Sequence, residues 1–218
     1  VINMNLGQIK QKIRMMGRHY FGSDSDRDPF GLESIIFESA NQIARKTDCL
    51  VGRRYLDIIA GTSDYCSPDI YKIRVLKVKD DSGDYFQPTL YSFSNQMVDE
   101  YRYRTPQTVP DVVVLRGMNA IILYPPPAAA VTQGLLVEGY AQPGAYWAYD
   151  STGTALANTD ATECPLPDVA HDCLVYCTLY MRALQMRDGD GLQLFKTEYL
   201  DRLGAVESFA ATYARRAV

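Results

Sequence analysis

The sequence predicts an α+β fold in which helices from both ends of the chain form a bundle and the middle forms an inserted antiparallel β-sheet or sandwich region. Apolar residues recur three and four apart near both termini, as they do on one face of a helix. Between them lie short runs of β-branched and aromatic residues, separated by turns containing Gly or Asn. Two striped helices at each end cannot leave their apolar faces in water, so the simplest closure packs the N-terminal pair on the C-terminal pair. The expected division is residues 1–52 with 166–218 as helical bundle and 53–165 as inserted β domain.

The first helix is carried by Leu6, Ile9, Ile13, Met16 and Tyr20, with Gln8, Lys10, Gln11, Lys12 and Arg14 on its other faces. After a polar linker, Asp28-Pro29 can open a second helix, because Asp caps free N–H groups and Pro at the first turn loses no needed hydrogen bond. That helix runs to about Cys49 and buries Ile36, Ala40, Ile43 and Thr47. From about Arg54 five or six strands are expected, in "RYLDIIAG", "DIYKIRVLKVKD", "DYFQPTLYSF", "DVVVLRG", "NAIILYP" and "GLLVEGYAQP". "DDSG" at 80–83 and "RGMN" at 116–119 read as hairpin turns. Ser94 can cap a short helix through about Tyr101.

Pro125, Pro126 and Pro127 fall between two apolar runs, where fixed φ and missing N–H groups end strand pairing and turn the chain into a hairpin. An exposed polyproline ligand is the alternative use of the same residues. Residues 151–165 read as a loop. A third helix follows Pro167, with Val169, Cys173, Tyr176, Cys177, Tyr180 and Leu184 on one stripe. "RDGDG" at 187–191 breaks it, since two glycines weaken a helix and Asp190 can cap the next one. The last helix carries Leu192, Phe195, Tyr199, Leu203, Val206, Ala210 and Tyr213.

The 218-residue chain is 47% apolar, as a packed core requires, and its net charge of −4 and pI near 5.2 argue against a dedicated nucleic-acid binder. No stretch reaches the roughly 20 apolar residues of a membrane span, and no basic segment leads into an apolar one at the N-terminus, so no membrane association and a cytosolic origin are expected. Five cysteines make a poor disulfide framework, and reduced thiols are expected.

Sequence signatures of phosphate loops, nucleophile elbows and zinc helices are missing, and no catalytic residue, cofactor or metal is expected. Cys164, His171, Cys173 and Cys177 are the best candidates for a metal or a thiol enzyme. Their spacing lacks the knuckle of structural zinc sites, and cysteines one turn apart on an apolar stripe read as small core hydrophobes. A reactive thiol would need a lowered pKa, for which His171 near Pro167 is the available source. "DEYRYRTP" at 99–106 gathers Tyr101, Arg102, Tyr103 and Arg104, residue types enriched at protein contacts.

The element order, the "IILYPPP" turn, the following "LLVEGYAQP" strand, the Leu-Pro opening of "LPDVAHDCLVYCTLYMRALQMRDGD" and its Gly-Asp break together resemble the head-to-tail adaptor (connector or neck) proteins of tailed bacteriophages. The likeness spans most of residues 5–210. It implies a non-enzymatic virion subunit, made in the host bacterial cytoplasm, that forms a dodecameric ring beneath the portal protein. Genomic DNA would pass through the ring without sequence-specific binding, toward a nozzle or stopper as the next neck or tail component. The resemblance further implies that the C-terminal segment with Tyr213, Arg215 and Arg216 reaches the portal and that the β part faces the next tail component. By residue type alone, Tyr101–Arg104 is a candidate subunit or tail contact, with an ordinary loop rim as the alternative. A tail tubular or tail-completion protein of a short-tailed phage shares the plan and is the alternative.

Overall fold

The computed structural model describes residues 4–21, 31–67, 69–92, 109–110, 112–143 and 159–216. They form an α+β structure of four helices and two four-stranded sheets among the described residues. The chain divides into two compact units, residues 1–50 with 142–218 and residues 51–141.

In the first unit, α1 (Leu6–Met16) opens with a capping box, the Asn5 side chain accepting from the Gln8 amide while Gln8 accepts from the Asn5 amide. Leu6, Ile9 and Ile13 are fully buried, whereas Met16 is exposed because the helix ends there and Gly17 turns the chain. Helix α2 (Leu32–Thr47) buries the expected Ile36, Ala40, Ile43 and Thr47. Its N-cap is Gly31, not Asp28; Asp28 and Pro29 lie outside the described residues.

Helix α3 (His171–Met186), preceded by a 3₁₀ turn at Asp168–Ala170, is the centre of this unit. The expected single stripe proves too narrow: Cys173, Leu174, Val175, Cys177, Thr178, Leu179 and Ala183 are all buried, since α1, α2 and α4 (Gly189–Arg216) each pack on it. Val169 and Leu184, at the ends of that stripe, are exposed. Between α3 and α4 the cap is Asp188 instead of Asp190. Its carboxylate accepts from the Gly191 amide at 3.2 Å, after Arg187 closes α3 in the left-handed region at φ 56°.

Residues expected to form a loop before α3 are built into this unit. The Leu6 amide donates to the Thr162 carbonyl and the Cys164 amide to the Met4 carbonyl, so 162–164 run alongside the start of α1. Residues 151–158 lie outside the described residues.

The second unit is a sandwich. One sheet has the order β1-β8-β3-β4 and the other β2-β7-β6-β5, from β1 (Val51–Ile58), β2 (Asp64–Cys66), β3 (Ile70–Lys79), β4 (Tyr85–Phe86), β5 (Thr89–Ser92), β6 (Val112–Arg116), β7 (Ala120–Tyr124) and β8 (Val131–Ala141). Leu76, Val78, Leu135 and Val137 of the first sheet share one core with Val113, Ile121 and Leu123 of the second. Both expected hairpins form, β3–β4 around Gly83 and β6–β7 around Gly117, each glycine at positive φ.

Pairing is antiparallel except between β5 and β6, which run parallel. The long segment 93–111 gives the chain room to return in the same direction, which a hairpin turn does not. The helix expected at Ser94–Tyr101 falls in that segment, outside the described residues. The prolines do not shape a hairpin. They lead from β7 in one sheet to β8 in the other, with Pro125 and Pro127 buried and the Pro127 carbonyl accepting from Gly61 at 2.8 Å. Burial removes the polyproline-ligand alternative.

Candidate functional site

Helix α4 is 28 residues long, about 42 Å, against about 24 Å for the 16 residues of α3 on which it packs. The pairing is aromatic. Tyr180 and Tyr199 stack at 6.0 Å, the Arg202 guanidinium lies 4.6 Å from the Tyr176 ring, and the Lys46 ammonium of α2 sits 5.4 Å from Tyr199. Burial makes the Tyr199 hydroxyl harder to ionise, and the neighbouring Cys177 and Cys173 add to the effect.

Among the described side chains, Val206 is the last fully buried residue of α4. Phe195, Tyr199, Leu203 and Val206 are buried, but Tyr213, which continues the same stripe, is 62% exposed. Phe209 is also exposed. Its ring lies 5.7 Å from Tyr213 and lines a shallow groove of about 760 Å³ with Pro165, Leu166, Pro167 and Val169. Past Val206, the last buried residue among the described side chains, the helix carries almost three more turns of amphipathic sequence beside a largely apolar groove, a form suited to seating against another protein. Its backbone stays helical through Arg216, while the side chains of Arg215 and Arg216 lie outside the described residues, as do Tyr101–Arg104.

The structure places Cys164, His171, Cys173 and Cys177 in the core of the helical unit. Burial pushes the thiols up to about 12 for Cys164 and Cys173 and about 11 for Cys177, opposite to what a nucleophile requires. The His171 ring is used by the backbone: Nδ1 accepts from the Met4 amide at 3.4 Å and Nε2–H donates to the Leu166 carbonyl at 3.0 Å. No cluster of three or more potential metal ligands forms among the described residues. No helix among them is long and apolar enough to cross a membrane.

One polar centre escaped the sequence reading. Lys10, assigned to the polar side of α1, is 4% exposed and binds both Glu33 at the start of α2 and Asp160 of the Thr159–Ala161 turn. Burial alone would lower its pKa, but the two carboxylates outweigh it and the value is raised. The signal was available, since Lys10 lies one turn after Leu6 and beside Ile13. This ammonium ties three segments of the bundle together.

A family model for the SU10 adaptor protein matches residues 4–218. The match covers both units, and the chain belongs to the SU10 adaptor family, a family of phage head-to-tail adaptors. No curated protein matches the chain.

Proposed function

We propose that this protein is a structural subunit of the virion neck, forming a dodecameric ring beneath the portal through which DNA passes to the tail. The observation that carries the reading is a family match along almost the whole chain, joined to a last helix that outruns its own bundle. In this reading the helical segments 1–52 and 166–218 form the ring body and the 53–165 insertion faces the next neck or tail component. Tyr213, Arg215 and Arg216 meet the portal. Tyr101, Arg102, Tyr103 and Arg104 lie at a subunit or tail contact.

A net charge of −4 suits a channel that lets DNA slide, because each lysine or arginine paired with phosphate would resist movement. Nothing in this role requires bond chemistry, and the buried protonated thiols offer none.

Mixing the purified chain with its portal tests the proposal. Electron microscopy is expected to show rings of this chain on the tail-facing side of the portal. Binding to tail components with none to the portal would overturn it in favour of a tail tubular or tail-completion protein.

A further inference from the structure

The β unit carries two patches of opposite charge. On β8, Leu136, Glu138 and Tyr140 point away from the sandwich core, and their direct ladder neighbours share that face: Tyr55, Arg53 and Val51 on β1, Lys77, Val75 and Lys72 on β3. The Arg74 guanidinium and the Lys72 ammonium lie 5.4 and 5.0 Å from the Tyr140 ring, and Lys79 continues the row. The face thus gathers Arg53, Lys72, Arg74, Lys77 and Lys79. Its carboxylates are already engaged: Glu138 with Arg53, and Asp57 with the Gln133 amide at 2.7 Å. Arg74, Lys77 and Lys79 form no ion pair among the described residues.

The opposite patch is the β3–β4 turn. Asp80 is spent on holding the turn, accepting from the Ser82 amide and hydroxyl and from the Asp84 amide. Asp81 and Asp84 are exposed and, among the described residues, unpaired. Lys79 sits at the base of this turn beside Gly83, but Arg74 stands roughly 20 Å along the strand from Asp81, beyond the reach of the turn within one copy. Two unlike, complementary patches on one chain are what a head-to-tail contact needs, and such contacts generate a ring when the rotation between copies closes.

We propose that the Asp81–Asp84 turn of one copy docks on the Arg74–Lys77 face of the next, a contact between β units that rests on the ring reading above. A second copy fits better than DNA, since Asp81 and Asp84 at the rim of the face would repel phosphates and the chain is acidic overall.

Charge reversal tests it on the full chain mixed with portal, read by electron microscopy and sedimentation. Arg74→Glu with Lys77→Glu is expected to cut the ring fraction about tenfold, as is Asp81→Lys with Asp84→Lys. A chain carrying all four changes, or an equal mixture of the two double variants, is expected to recover rings, which also shows that each variant folds. Intact rings from either double variant would overturn the contact while leaving the ring reading in place. Loss of rings without recovery would overturn it as well. Unchanged rings with weakened binding to arbitrary duplex DNA would assign the face to nucleic acid instead. A wild-type chain that forms no ring on the portal would remove both readings.

Discussion

Gly139 of β8 faces Ile73 of β3 beside the Lys72 carbonyl. A methyl group there would stand 2.2 Å from the Lys72 carbonyl and 2.8 Å from the Ile70 side chain. Since one obstacle is backbone, no rotamer change relieves it, and Gly139→Ala is expected to cost about 3 kcal/mol, the upper range for overpacking. A shift of the urea midpoint at constant slope would report it; an unchanged midpoint would show that β3 and β8 accommodate a methyl group at this position. His171 offers a different lever. Burial lowers its pKa from the ordinary 6.5, despite the opposing Leu166 carbonyl, so the folded state holds the neutral ring. Its contribution is complete above 6.5 and is lost as pH falls from there through the lowered native value, because the unfolded chain then binds the extra proton. Between pH 7 and 5, His171→Gln is expected to lose less stability than the parent chain. Equal losses would show that the ring titrates freely.

At the level of elements, legibility followed periodicity. The stripes on α1 and α2 were visible because each buries one face, as Ile9 with Ile13 and Ile36 with Ile43 do. Helix α3 buries more than the stripe its sequence predicts, because burial on several sides erases the polar gaps that define a stripe. The proline run predicts a hairpin where the chain crosses between sheets, because sequence spacing does not say which sheet a strand joins, and the pattern favours Asp190 over Asp188 because a cap depends on where the preceding helix stops. Helix α4 was read correctly in period, but nothing in its pattern marks Val206 as the last buried position. Its exposed middle gives a direct test. Gly204 has open space at its Cβ position, so Gly204→Ala is expected to raise stability by about 1 kcal/mol through helix propensity alone. Chemical denaturation measures it, and a neutral or destabilising result would mean that this part of α4 unfolds apart from the bundle.

For the molecule as a whole, the contrast between α4's buried and exposed parts separates stability from assembly. Cutting the chain after Ala211 removes Tyr213, Arg215 and Arg216 but none of the buried residues Phe195, Tyr199, Leu203 or Val206. The loss to folding comprises helix-end hydrogen bonds, the exposed Phe209–Tyr213 ring contact and the favourable placement of cations near the helix C-terminus, on the order of 1 kcal/mol together. A docking segment behaves in the opposite way, because removing an aromatic anchor with its neighbouring arginines can abolish binding without touching the rest of the fold. The shortened chain is therefore expected to unfold almost as the intact one does and to fail to bind the portal. Tyr213→Ala alone should weaken binding by roughly tenfold or more if the ring is an anchor. Full portal binding by the shortened chain would place the contact elsewhere on the helical unit, while loss of folding would show that the last turns of α4 belong to the core.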